Sequence, residues 1–159
     1  MNYNEAMNME KVEFGDMPPQ AFLLGLLSAF DNRFQAAADA FFKEITWKQF
    51  FAIICINLCK EAPTINELSD VMGSSHQNVK QILLRLEKKG FVSTVADEKD
   101  KRKQRITVTG EARRFMEEND NNGQQSQYII GRIFDGIDEK SLQKTIQTIM
   151  KMERNLSEL

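Results

Sequence analysis

The chain has 159 residues, 42% hydrophobic and 28% charged, the proportions of an ordinary globular protein with one core or two closely packed ones. Its 21 Lys and Arg stand against 23 Asp and Glu, a net charge of −2 that, as an average, argues against a nucleic-acid partner. A single histidine, His76, leaves little for histidine catalysis or a zinc site, and the longest apolar run, Phe50 to Ile56, is far short of the roughly 20 residues of a membrane span. No glycine-rich phosphate loop occurs, and no nucleophile, base and orienting group stand at a recognisable spacing, so the expectation is a non-enzyme without metal or cofactor. The opening MNYNEAMNMEKVEF is acidic and lacks an apolar segment, which points away from a secretory leader or a membrane contact and towards a cytoplasmic protein.

In chain order, Pro18 and Pro19 stand where a helix begins, and Phe22, Leu23, Leu26, Leu27, Phe30 and Phe34 recur at helical spacing towards Phe42. Thr46-Trp47-Lys48-Gln49 has the form of a capping box and opens a second helix through Phe50, Ile53, Ile54 and Leu58. Cys55 and Cys59 lie four apart on it, a spacing at which a disulfide within an intact helix is strained, so they read either as core thiols or as a redox-sensing pair. Past Pro63, Thr64-Ile65-Asn66-Glu67 repeats the capping box. The short helix it starts has Ile65, Leu68, Val71 and Met72 on its inner side and ends at Gly73, a residue suited to a left-handed cap.

Ser74 or Ser75 then caps a fourth helix whose apolar positions Val79, Ile82, Leu83 and Leu86 keep the 3.6-residue period until Gly90. Two helices across a short glycine turn make a helix-turn-helix. Phe91–Val95 and Arg105–Val108 are β-branched and flank the polar stretch Ala96–Gln104, a hairpin with a charged tip. Thr109 caps a fifth helix carrying Ala112, Phe115 and Met116. The stretch 119–123 is a loop or a break, and Tyr128, Ile129, Ile133, Phe134 and Ile137 supply a further amphipathic segment. Leu142, Ile146, Ile149, Met150, Met152 and Leu156 mark the final helix. The fold class is mainly α with a small β-hairpin wing: a winged helix-turn-helix plus a helical dimerisation region.

Local charge reverses the meaning of the average. Residues 74–110 hold nine Lys and Arg against four Asp and Glu, +5, which leaves −7 elsewhere. A basic face next to a helix-turn-helix is the electrostatic footprint of a surface that neutralises phosphates. The run Gln77-Asn78-Val79-Lys80-Gln81-Ile82-Leu83-Leu84-Arg85-Leu86-Glu87-Lys88-Lys89-Gly90-Phe91-Val92, followed by Asp97-Glu98-Lys99-Asp100-Lys101-Arg102, resembles the MarR family of bacterial transcriptional regulators, the likeness running from about Trp47 to Met116. Where that family usually has proline after the first wing aspartate and bases in the preceding strand, this chain has Glu98 and Thr94-Val95-Ala96.

A recognition helix presents its N-terminal side chains to base edges in the major groove, which makes Ser75, His76, Gln77, Asn78 and Gln81 candidate readers and Lys80, Lys88 and Lys89 candidate phosphate contacts, with Ser74, Lys101 and Lys103 as further DNA-binding candidates. The resemblance implies that Arg102 enters the minor groove and that Asp100 positions the wing by pairing with a base such as Arg102. Arg85 is a candidate either for a DNA-backbone contact or for an ion pair with Glu87, Glu111 or another acid. The resemblance further implies a homodimer on a pseudo-palindromic operator in double-stranded DNA. It also implies a small aromatic effector held between the reading head and the dimer helices, with Phe30, Trp47, Phe50 and Phe51 as the candidate pocket. The terminal helices are apolar enough to need a partner.

The resulting organisation is an N-terminal dimerisation helix over 18–45, a DNA-binding domain over 46–118 and C-terminal dimerisation helices over 119–159. The expected function is a dimeric, sequence-specific regulator, a ligand-responsive repressor. The alternatives are a winged helix serving as a protein-interaction module, or a thiol-based sensor using Cys55 and Cys59.

Overall fold

The computed structural model describes residues 15–40, 44–97, 100–101, 103–120, 127 and 130–159. They divide into two compact units, 1–109 and 110–159. The first unit contains α1 (Pro19–Asp39), α2 (Trp47–Leu58), α3 (Ile65–Met72), α4 (His76–Lys88) and an antiparallel hairpin of β1 (Val92–Ala96) and β2 (Gln104–Val108). The second contains α5 (Gly110–Asp120) and α6 (Glu139–Leu156).

Short-range sequence signals set the boundaries of these helices. Pro19 occupies the first position of α1, where its missing N–H would have no partner anyway. Both capping boxes form: Thr46 Oγ1 accepts from Gln49 N while Gln49 Oε1 accepts from Thr46 N, and Thr64 with Glu67 repeats the exchange. Ser75, rather than Ser74, caps α4, its Oγ accepting from Asn78 N at 3.3 Å. At the junction of α3 and α4, Gly73 sits at φ +58°; its N–H donates to Asp70 O and that of Ser74 to Ser69 O, which satisfies the last carbonyls of α3. Gly90 ends α4 in the same way at φ +74°, with Gly90 N donating to Glu87 O and Phe91 N to Leu86 O.

α2, α3 and α4 pack on one another and on the hairpin around Ile53, Leu68, Val79, Leu86 and Ile106, none more than 1% exposed. One expected core position is wrong. Val71 is 50% exposed and Ser69 is buried, because Ile65, Leu68, Ser69 and Met72 fall on one stripe of α3 while Val71 is carried round its side. Ser69 tolerates burial by donating its hydroxyl to Ile65 O at 2.7 Å. In the hairpin Val92 pairs with Val108 and Thr94 with Ile106, so Val92, Ile106 and Val108 share its inner face.

α1 packs against α2 through aromatic rings: Phe34 meets Trp47 edge-on at 4.8 Å, and Trp47 stacks on Phe51 at 6.1 Å. Trp47 N donates to Asp39 Oδ1, tying the end of α1 to the start of α2. Even so, α1 has no buried residue, with Leu24 and Phe30 more than half exposed.

In the second unit, α6 starts on Asp138, which accepts from both the N–H and the hydroxyl of Ser141, and this hold keeps the Asp138 carboxyl below its ordinary range. Its stripe of Leu142, Ile146, Ile149 and Met152 is nowhere buried. Among the described residues no helix is long and apolar enough to cross a membrane.

Candidate nucleic-acid interface

The buried side of α4, Val79, Ile82, Leu83 and Leu86, leaves its other side outward. Gln77, Gln81, Leu84 and Lys88 follow at intervals of four, three and four, one continuous exposed stripe, with His76 and Lys80 beside it. Leu84, 49% exposed, is the member that periodicity alone passes over: it reads as one more apolar helix residue until the core stripe is fixed. Asn78 is also exposed, but its amide donates to Ser74 Oγ at 2.8 Å, so this pair buttresses the turn as well as fronting it. Arg85 is exposed, and among the described residues no ion pair involves it; two residues along a helix, Glu87 points elsewhere, and Glu111 pairs with Arg114 at 3.0 Å.

The wing projects from the Gly90 end of α4. Lys101 and Lys103 are exposed at its turn, and Arg102 and Lys99 lie outside the described residues, as do Tyr128 and Ile129 further along. The turn is closed by backbone bonds from Asp97 N to Lys103 O and from Lys103 N to Asp100 O, and by Asp97 Oδ1 accepting from Asp100 N at 2.8 Å. At the wing's base, Thr109 Oγ1 donates to Gly90 O at 2.7 Å and Ser93 Oγ meets Thr107 Oγ1 at 2.8 Å across the strands.

Arg105, which the charge count treats as one more phosphate-facing base, turns inward instead. Its Nε donates to Asp97 Oδ2 at 2.6 Å and its Nη1 to Glu67 Oε2 and to Ala62 O, both at 3.0 Å. Asp97 in turn raises the affinity of the guanidinium for its proton, and Glu67 is held below the usual carboxylate range, first by its bonds to Thr64 and then by the nearby Arg105 charge.

A cleft of about 370 Å³ opens between α1, the start of α2 and the α3–α4 turn. Phe34, Trp47, Phe51, Met72 and Ile82 form its apolar wall, and Asp31, Gln35, Lys48, Ser74 and Asn78 its polar edge. Of the four aromatics expected to line a pocket, Trp47 and Phe51 do so. Phe50 packs on Trp47 at 5.9 Å outside the lining, and Phe30 is displaced by Phe34, on whose ring it stacks at 6.0 Å.

Both cysteines are free thiols: Cys55 is buried in α2, and Cys59, the first residue past its end, donates to Cys55 O at 3.2 Å. Burial, and then the neighbouring Cys59, push the Cys55 thiol above its ordinary value, which suppresses the reactive thiolate. Among the described residues no His, Cys, Asp and Glu cluster could hold a metal ion.

Residues 45–103 match the family model described as MarR family. The fold is similar to the MarR protein from Peptoclostridium difficile (TM-score 0.76, 20% identity, 92% of this chain and 94% of that one) and to MepR of S. aureus, solved as a DNA complex (TM-score 0.71, 15% identity, 89% and 99%). It is also similar to BpsR of Bordetella bronchiseptica, whose DNA binding is regulated by 6-hydroxynicotinic acid (TM-score 0.68, 19% identity, 82% and 98%). No curated protein matches the chain in sequence. Residues 45–103 therefore form a winged helix-turn-helix that matches the MarR family model, within a fold similar to these regulators.

Proposed function

We propose that the protein is a dimeric, sequence-specific DNA-binding transcriptional regulator, a repressor whose hold on DNA responds to a small ligand. The observation that carries this reading is the outward face of α4. Five polar or basic side chains, His76, Gln77, Lys80, Gln81 and Lys88, stand with the cap residue Ser75 on a helix whose opposite side is fully committed to the core, beside a wing whose turn carries Lys101 and Lys103. Gln77 and Gln81 are the readers, able to bond an adenine edge bidentately. Leu84 offers an apolar contact to a thymine methyl, and Lys80, Lys88, Lys101 and Lys103 meet phosphates. Ser74 and Asn78 present the turn to the backbone. Arg102 and Asp100 keep the roles the resemblance gives them, in the minor groove and in positioning the wing.

The dimer reading rests on the apolar surface that each chain leaves uncovered. α1 and α6, from the regions 18–45 and 119–159, have no buried residue, yet they carry Leu24, Phe30, Ile146, Met150 and Leu156 at 48% exposure or more. A two-fold dimer that buries both stripes sets two recognition helices about one DNA turn, 34–36 Å, apart and demands a pseudo-palindromic operator.

The effector reading rests on the cleft. An aromatic wall edged by a carboxylate, an ammonium and two amides suits a small aromatic ring bearing polar substituents, and BpsR, a structural relative, is regulated by a ligand of that kind. Such a ligand shifts DNA affinity only by its differential affinity for the DNA-competent state.

Selection of bound duplexes from a random pool, followed by titration of the selected site with salt, tests the reading. A palindromic consensus with steeply salt-dependent binding is expected. No enrichment from a folded dimer, or salt-independent binding, overturns it in favour of a protein-interaction module.

A further inference from the structure

The wing is tied to the helix-turn-helix by one side chain that no DNA contact requires. β2 meets the α2–α3 connection through a backbone bond from Ile106 N to Pro63 O at 2.9 Å and, one residue earlier, through the guanidinium of Arg105. That guanidinium donates to Asp97 from Nε, and to Glu67 and the Ala62 carbonyl from Nη1, at 2.6 to 3.0 Å. Each carboxylate it holds has a second duty. Asp97 Oδ1 accepts the Asp100 amide and so shapes the wing turn, while Glu67 accepts the Thr64 amide at 2.7 Å as the reciprocal half of the α3 capping box. A continuous path of hydrogen bonds therefore runs from the wing turn, through Asp97, Arg105 and Glu67, to the first turn of α3.

We propose that Arg105 is a positioning residue for DNA binding, a clasp that fixes the angle of the wing on the helix-turn-helix so that the wing lysines reach the backbone while α4 lies in the major groove. A planar guanidinium suits the task because it offers donors in fixed directions to several acceptors at once, whereas an ammonium is a compact point charge on a flexible stem. The clasp is shielded on its wing side, where the Arg105 and Asp97 side chains are 25% and 12% exposed, and open to solvent at Glu67, 56% exposed. The side chain itself faces away from phosphate. Its effect on binding passes through the side chains of the wing turn: Lys101, Lys103 and, in the role the resemblance gives it, Arg102.

This inference rests on the DNA-binding reading, and the experiment separates the two. Arg105→Gln and Arg105→Lys are compared with the wild type on the selected duplex, each alone and in a Lys101→Ala, Lys103→Ala background, with circular dichroism confirming the fold. Arg105→Gln is expected to weaken binding by the factor that the wing-turn bases themselves contribute, on the order of tenfold for a charge-assisted contact, and to leave the base preference of α4 unchanged. In the lysine-less background it should cost less than in the wild type, the remainder being the contact of Arg102. Arg105→Lys, which retains the charge but not the fork, should recover less than the full affinity; if Arg105→Gln does not fold, this variant carries the test. Wild-type affinity in Arg105→Gln or Arg105→Lys, or an equal loss with and without the wing lysines, refutes the clasp and leaves the DNA-binding reading intact. Absence of any bound duplex for the wild type removes both.

Discussion

Gly73→Ala isolates the backbone conformation on which the turn between α3 and α4 depends. At φ +58° and ψ +35° the residue is left-handed, and a Cβ built there meets no atom within 4 Å, so the substitution introduces no clash. What remains is the intrinsic penalty of a left-handed L-residue, about 1–2 kcal/mol. It is offset in part by the narrower unfolded ensemble of alanine, about 0.4–1 kcal/mol. The net expectation is destabilisation of about 1 kcal/mol, or roughly 2–4 °C in Tm for a chain of this size. Asparagine, which tolerates the left-handed region, should lose less than alanine. Valine, branched at Cβ, should lose more. Urea unfolding of the three variants at one protein concentration, so that dimerisation does not confound the midpoints, measures the order. A neutral or stabilising alanine, or an asparagine worse than alanine, refutes the reasoning, because open space around the Cβ leaves nothing but φ to set the sign.

Gln77→Ala should relax base preference at one half-site position, each bidentate pair being worth about 1–3 kcal/mol of discrimination. Lys88→Ala should instead weaken all duplexes alike and lower the salt slope by about 0.9 for each phosphate that is no longer neutralised, as read by fluorescence anisotropy across salt. Because the Glu67 carboxyl is held low by Thr64 and Arg105, the stability it contributes is present above the ordinary carboxylate value and lost as pH falls through its own lower one. Glu67→Gln, which keeps a capping-box acceptor but cannot titrate, should flatten the acid-side fall in Tm seen for the wild type, and an unchanged profile refutes this. In the native protein a thiol reagent should react with half-buried Cys59 well before buried Cys55, whose modification should follow unfolding; equal native rates refute that ordering.

What the sequence made legible is what neighbouring residues decide between themselves. The two capping boxes, the glycine that ends α3 and the four-residue core stripe of α4 are local arrangements, and each stands where the residue pattern puts it. The exchange of Val71 for Ser69 has a different origin. Over eight residues of α3 both phases of the apolar stripe are nearly equal, and the neighbours on α2 and α4 choose between them. The aromatic cleft slips by one helical turn for the same reason. α1 is apolar on several faces, so its sequence does not say whether Phe30 or Phe34 turns towards Trp47.

Arg105 escaped because its partners lie 8 and 38 residues away in the chain, beyond any spacing rule, and because a census of charge treats every arginine as facing outward. Correcting that census leaves the sum untouched, since Arg105 and Asp97 leave the surface count of residues 74–110 together: eight bases then stand against three acids, still +5. The composition of that charge does change. A base facing phosphate registers in the salt dependence of binding, whereas a base paired internally releases no counterion when DNA arrives. Removing Arg105 therefore alters the salt slope only by way of the wing-turn bases it positions, while removing Lys88 alters it directly. Two substitutions that each subtract one positive charge from the same reading head must then differ in how their effect depends on Lys101 and Lys103, and that difference follows from the direction in which each side chain points.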